Sequence, residues 1–156
     1  MGYDMTDETT EAAPVTGTGV GHREVGLRRT AHSTYEATNV RGGTITISSM
    51  GGPEFTPVEL LLAAIAGCSA VDIDFITSRR AEPESFEVTS VGQKVSDEDG
   101  NHLTDIEVTF RVRFPEGEGG DRARTMLPRA IAQSRDRLCT VSRTVQLPTP
   151  VLMQEG

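Results

Sequence analysis

The first third of the chain alternates apolar and polar residues in the manner of short strands. Residues 24–31 and 33–39 are rich in strand-forming residues, and TITISS at 44–49 alternates with a period of two, which indicates a half-buried strand. Arg41 precedes two glycines between the second and third segments, where glycine supplies the backbone angles of a tight turn. The pattern predicts three successive strands joined by short turns.

The next segment has the three- and four-residue spacing of a helix. Thr56 is a suitable N-cap, Pro57 fits the first helical position, and Glu59 supplies the acid of a capping box. The helix is predicted to continue to about Arg80. Its apolar residues share one face: Leu61, Ala64, Cys68, Val71 and Phe75. Small residues surround Cys68 and would let another helix approach closely, so we expect this helix to be central.

A second β region and a second helix follow. Residues 86–95 and 104–114 alternate, and the intervening SDEDGNH is typical of a hairpin loop. A helix is predicted over about 119–138, with Pro128 kinking it or starting its second half, and a final strand over about 142–147. This order of elements predicts an α/β (α+β) fold, with antiparallel strands covered on a single side.

The length of 156 residues is that of one domain. Residues 1–22 are acidic, rich in Thr and Gly, and poor in the apolar residues that offset the entropy of ordering. We therefore predict a disordered acidic tail over 1–22 and a single domain over 23–156.

The net charge and the number of cysteines limit which binding partners and which cellular compartment we expect. The net charge of −8 argues against general binding to nucleic acid or to an anionic membrane. We find no apolar run that approaches the roughly 20 residues of a membrane span and no secretory signal pattern. Two cysteines are too few for a disulfide scaffold, so a reducing, cytoplasmic location is expected.

The two cysteines are the main candidates for chemistry. Two interpretations remain open: a redox pair, with one thiol attacking a peroxide and the other resolving the product, or inert buried residues. A metal site is not expected, because there is no CxxC, HxxxH or Cys/His cluster with zinc-ligand spacing. His22, His32 and His102 are predicted to be solvated loop residues, and none is well placed as a base for cysteine hydrolase chemistry.

Two segments carry a resemblance to a known family. Cys68 lies in TPVELLLAAIAGCSAVDID and Cys139 in LCTVSRTV, and both segments are similar to those of osmotically inducible protein C (OsmC) and the organic hydroperoxide resistance proteins. The order of elements agrees as well, so the resemblance covers roughly residues 23–150. It implies an OsmC-like fold in which two antiparallel sheets surround the central helices of an intertwined homodimer.

The resemblance also implies an activity, the thiol-dependent reduction of organic hydroperoxides without a metal or an organic cofactor. Carried onto this sequence, Cys68 is the peroxidatic thiol and Cys139 the resolving thiol. Arg41 corresponds to the arginine that stabilises the thiolate. The resulting disulfide is reduced by an external dithiol of the lipoyl or thioredoxin type.

One position departs from the hydroperoxide resistance branch. The acid that holds the arginine there stands ten residues before the peroxidatic cysteine, and that position is Val58 in this chain. The nearest acid is Glu59, which is rotated by about 100° around a helix. Glu59 is therefore either the partner of Arg41 or only the capping acid.

The sequence is more similar to a less characterised, OsmC-like branch in its Pro-x-Glu-Leu motif and in Asp72 and Asp74 after the cysteine. Three functions follow from these observations. The first is a cysteine-based peroxidase for organic hydroperoxides. The alternatives are a non-catalytic redox sensor or thiol buffer, and a protein that binds a small hydrophobic ligand beside inert cysteines.

Overall fold

A computed structural model describes residues 19–156, and contacts divide the chain into two units, Met1–Thr56 and Pro57–Gly156. Of the predicted tail over 1–22, residues 1–18 lie outside the described residues. The single domain over 23–156 stays a prediction.

The described part of the first unit contains a three-stranded antiparallel sheet. Its strands are β1 (Val25–Ala31), β2 (Thr34–Asn39) and β3 (Thr44–Ser48), with β2 in the middle. Ala37 of the middle strand lies opposite Ile45 of β3 and is buried. The three strands predicted from the alternation of apolar and polar residues are therefore confirmed.

The second unit begins with helix α1 (Pro57–Thr77). The start at Pro57 is as predicted, but the helix ends at Thr77 and not at Arg80. The backbone N–H groups of Arg80 and Ala81 both donate to the carbonyl of Thr77, so the last predicted residues form a turn. The buried residues of α1 recur at every fourth position: Ile65, Ser69, Ile73 and Thr77.

The predicted apolar face of α1 is turned outward. Val71 is 70% exposed and Phe75 is 65% exposed. By length and composition α1 could nevertheless span a membrane, because it has 21 residues and an 18-residue window within it has a mean hydropathy of 1.8. The expectation that no segment is long and apolar enough to cross a membrane was wrong. Core helices of globular proteins meet the same criterion.

A long β-hairpin follows, formed by β4 (Ser85–Asp97) and β5 (Gly100–Arg113). The hairpin loop is shorter than predicted, because Ser96 pairs with Asn101 and only residues 98 and 99 remain unpaired at the tip. His102 is consequently a strand residue and not a loop residue. The predicted alternation is confirmed, since even-numbered positions from 106 to 112 are half-buried and the odd-numbered ones are exposed.

Helix α2 (Glu118–Gln133) runs through Pro128. Its first turn lies close to the end of β5, because a Cβ on Gly120 would stand 1.7 Å from the carbonyl oxygen of Pro115. Only glycine fits at this position. Buried Ala123 and Ala130 of α2 are small enough to let it pack closely on α1.

The end of the chain differs from the prediction. After α2 the helix widens into a π-helical turn (Ser134–Leu138), and α3 (Thr140–Gln146) follows. The predicted final strand over 142–147 was wrong. The alternation of TVSRTV resembles a strand, but a cap at Cys139 and packing against α1 favour a helix. Within residues 19–156, two antiparallel sheets and three α-helices give an α+β fold, which confirms the predicted class.

Candidate functional site

The π-helical turn places Cys139 against α1. Cys139 is fully buried, and its thiol donates to the carbonyl oxygen of Ile65 at 3.9 Å. Its sulfur accepts a hydrogen bond from the backbone N–H of Ser142 at 3.4 Å. The thiol therefore serves as the N-cap of α3 while it contacts the middle of α1.

Cys68 lies on α1, beside Cys139, and is half-buried. Both cysteines are free thiols. Burial raises the pKa of Cys68 above its ordinary value, and a hydrogen bond from the backbone of Val141 opposes this shift. The neighbouring Cys139 thiol and the Asp72 carboxylate raise the pKa further. The protonated thiol is thus the favoured form of Cys68 near neutral pH.

Backbone groups of two consecutive residues of α3 form hydrogen bonds with the two sulfur atoms. Val141 provides a hydrogen bond to Cys68, and Ser142 donates to Cys139. Hydrogen bonds to the charged form of a thiol favour the thiolate. The first turn of α3 is therefore the part of the described chain that stabilises negative charge on Cys68.

Asp72 follows Cys68 by one turn of α1 and is hydrogen-bonded to the start of the π-helical turn. The hydroxyl of buried Ser134 donates to Oδ2 of Asp72 at 3.0 Å. The carboxylate lies close enough to Cys68 to raise its pKa. Sequence reasoning treated Asp72 only as a mark of the OsmC-like branch and missed Ser134 altogether. The four-residue spacing from Cys68 was the available signal for Asp72.

Arg41 lies in the turn between β2 and β3, with an exposed side chain. The side-chain oxygen of Asn39 accepts the backbone N–H groups of Arg41 at 2.9 Å and of Gly43 at 3.1 Å. Gly42 has a φ of 86°, which glycine adopts at little cost. The turn is thus well defined, and it belongs to the first unit, whereas the two cysteines belong to the second.

Glu59 lies in the first turn of α1 and Cys68 near its middle. Nine helical residues correspond to about two and a half turns, so Glu59 projects from the side of the helix opposite Cys68. Val58, the position of the acid in the hydroperoxide resistance branch, instead lines an apolar groove.

That groove has a volume of about 490 Å³. Leu61 stands two turns before Cys68 on the same face of α1 and is part of its wall. The apolar lining comprises Val58, Leu61, Leu103, Ile106 and Val145. Lys94 and His102 are among its polar residues, so the groove offers mainly apolar contacts together with a few polar ones.

No group of three or more His, Cys, Asp or Glu side chains within residues 19–156 has the arrangement of a metal site. The two free thiols and the polar groups around them are the candidates for chemistry that the structure offers.

Comparison with known proteins gives a family and a fold. The sequence profile of the family described as OsmC-like protein matches residues 50–153. A comparison with curated proteins found no match.

Solved structures share the fold at low sequence identity. A hypothetical protein from Aquifex aeolicus is 23% identical with a TM-score of 0.65, and the match covers 81% of this chain and 89% of that one. An OsmC-like protein of unknown function from Vibrio cholerae is 14% identical with a TM-score of 0.68, over 81% and 95% of the two chains. An organic hydroperoxide resistance protein from Legionella pneumophila is 14% identical with a TM-score of 0.53, over 83% and 92%.

Proposed function

Because the chain belongs to the family of OsmC-like proteins, we propose that it is a thiol-dependent peroxidase that reduces organic hydroperoxides. Cys68 is the peroxidatic thiol and Cys139 the resolving thiol. The observation that carries the proposal is that these two cysteines, far apart in the sequence, are neighbours in the fold, so that the Cys139 thiol raises the pKa of Cys68. The groove along the same face of α1 provides apolar contacts for the organic part of the substrate.

The first step is attack of the Cys68 thiolate on the distal oxygen of the hydroperoxide. A sulfur–oxygen bond forms, the oxygen–oxygen bond breaks, and the leaving alkoxide takes up a proton to become an alcohol. Cys68 becomes a sulfenic acid. The Cys139 sulfur then displaces the sulfenic oxygen as water to give a disulfide, and an external dithiol of the lipoyl or thioredoxin type reduces it. A reducing cytoplasm would supply such a dithiol.

Arg41 is proposed as the charged residue that favours the thiolate of Cys68. A guanidinium beside Cys68 would lower its pKa and offset the effect of burial. Such an effect is needed, because burial, Cys139 and Asp72 all raise the pKa of Cys68. Glu59 is proposed either as the partner that would hold Arg41 or, because it projects from the side of α1 opposite Cys68, only as the capping acid of α1.

A homodimer is proposed from the exposed face of α1. Leu61, Val71 and Phe75 are large apolar residues on this face, and Val71 is 70% exposed. A second copy of the chain would cover them and also exclude water from the neighbourhood of Cys68.

Two alternatives have an observation in their favour. The raised pKa of Cys68 favours a redox sensor or thiol buffer, which oxidises but turns over slowly. The apolar groove favours a protein that binds a small hydrophobic ligand. A sensor needs both cysteines without steady-state turnover, whereas a binding protein tolerates serine at either position.

The deciding experiment is the intact mass and free-thiol count of the reduced protein after one equivalent of cumene hydroperoxide, with hydrogen peroxide in parallel. We expect loss of two thiols, abolished in Cys68→Ser and replaced by a stable sulfenic acid in Cys139→Ser. Thiols that stay reduced would refute the peroxidase, and a search for a bound hydrophobic ligand would follow.

A further inference from the structure

Ser134 is the residue at which α2 passes into the π-helical turn. It forms hydrogen bonds both to α1 and to Cys139. The residue is 1% exposed, and its hydroxyl donates to Oδ2 of Asp72 on α1 at 3.0 Å. Its carbonyl oxygen accepts the backbone N–H of Cys139 at 2.9 Å. A single residue therefore connects the helix that carries Cys68 to the residue that carries the second thiol.

The register of the turn decides where the second thiol lies. Cys139 bonds to the residue five positions earlier, whereas an α-helix would use the fourth. A change of one residue in helical register rotates a side chain by about 100°. The hydrogen bond from Ser134 to Asp72 ties the first residue of this turn to α1 and so fixes the register relative to Cys68.

We propose that Ser134 is a positioning residue for the resolving step, with Asp72 as its acceptor. Their hydrogen bond holds the π-helical turn on α1 so that Cys139 reaches oxidised Cys68. This role rests on the proposed function. In the resolving step the Cys139 sulfur attacks the sulfenic sulfur of Cys68, and the sulfur–sulfur bond forms. The sulfenic oxygen leaves as water with the proton of the Cys139 thiol.

The same helix provides a matched control. Ser78 donates its hydroxyl to Oδ1 of Asp74 at 2.6 Å, which is the same pair of side chains on the exposed surface. Both partners of that bond lie within four residues of each other on α1 and its end. Removing it deletes a Ser–Asp hydrogen bond of the same chemical type without releasing the π-helical turn.

The test compares Ser134→Ala, Asp72→Ala, Asp72→Asn and Ser78→Ala after a pulse of cumene hydroperoxide, with sulfenic acid and disulfide followed by quenched-flow mass spectrometry. Ser134→Ala and Asp72→Ala should slow disulfide formation by about tenfold, because a hydrogen bond to a charged group contributes on this scale. Asp72→Asn keeps an acceptor oxygen but loses the charge, so it should resolve faster than Asp72→Ala and more slowly than the parent protein. Ser78→Ala should behave as the parent protein.

A second arm separates this role from the peroxidase activity. Oxidised glutathione converts Cys68 to a mixed disulfide with release of one glutathione, and Cys139 then displaces the second glutathione. The lifetime of the mixed disulfide should lengthen in Ser134→Ala whether or not the protein consumes peroxide. A parent protein that ignores peroxide but resolves this mixed disulfide faster than Ser134→Ala would refute the peroxidase and keep the positioning role.

Resolution at the parent rate in both arms would overturn the positioning role and leave the peroxidase intact. An equal slowing in Ser78→Ala would overturn it as well. Asp72→Ala removes the acceptor of the same hydrogen bond at a residue that is only half-buried. The test therefore does not depend on the folding of Ser134→Ala. A melting curve for each variant confirms that the compared proteins are folded.

Discussion

Ser142 donates its backbone N–H to the sulfur of Cys139 at 3.4 Å, so a buried thiol supplies the N-cap of α3. The same sulfur contacts the carbonyl oxygen of Ile65 on α1. The structural role of Cys139 and its proposed chemical role are therefore carried by one atom. The two roles can be separated by the choice of substitution.

Cys139→Ser should fold and lose only the resolving step. A serine hydroxyl can donate to Ile65 and accept from Ser142, since it has both a donor and acceptors. Cys139→Ala loses the cap, which should cost about 1 kcal/mol of unfolding free energy. Denaturant melts measure the difference, and mass spectrometry after peroxide should show stalled sulfenic acid in both variants. A serine variant less stable than the alanine variant would contradict the capping role.

The reaction of Cys68 with peroxide should accelerate with pH. Because the folded-state pKa of Cys68 is raised, the thiolate is the minor form at neutral pH and its fraction grows about tenfold per pH unit. The rate of thiol loss should therefore rise from pH 6 to pH 8 without a plateau. A plateau below pH 7 in the assembled protein would show that other groups have reversed the effect of burial.

Asp72→Asn should increase the reactivity of Cys68. The Asp72 carboxylate raises the pKa of Cys68 through its negative charge, and the amide removes that charge. Peroxide attack at pH 7 should then be faster by about twofold to fivefold. Asp74→Asn, two residues further along α1, is the matched control and should leave the rate unchanged. Equal rates for the parent protein and Asp72→Asn would remove Asp72 from the electrostatics of the site.

The elements that the sequence predicted well are those whose signals are local. Alternation of apolar and polar residues predicted β1 to β3, and Pro57 marked the start of α1. The two cysteine motifs predicted the family that the profile match to residues 50–153 confirms. These signals lie within a few residues of the element that they define, so no knowledge of tertiary contacts is needed.

The parts that the sequence did not predict depend on contacts between distant residues. Residues 140–146 alternate like a strand, yet they form α3 because Cys139 caps them and α1 packs against them. The bond from Ser134 to Asp72 joins α1 to the turn after α2. No local pattern marks Ser134 as different from any other serine at the end of a helix.

Arg41→Ala should raise the pKa of Cys68 further and slow peroxide attack at pH 7 by about tenfold for each unit of change. If Glu59 holds Arg41, Glu59→Gln should have the same effect on the rate. If Glu59 only caps α1, Glu59→Gln should lower the melting temperature and leave the rate unchanged. Arg29→Ala, at an exposed strand position of the same unit, is the control. An unchanged pH–rate profile for Arg41→Ala would remove Arg41 from the site.

Val71→Asp should prevent the proposed dimer. Val71 is 70% exposed on the face of α1 that also carries Cys68 and Phe75, and burying an unpaired carboxylate in an interface is strongly unfavourable. Sedimentation velocity should show a dimer for the parent protein and a monomer for Val71→Asp. Val151→Asp makes the same change at a residue that is 76% exposed after α3 and should remain dimeric. A parent protein that sediments as a monomer, or a dimeric Val71→Asp, would mean that this face of α1 is not covered by a second copy.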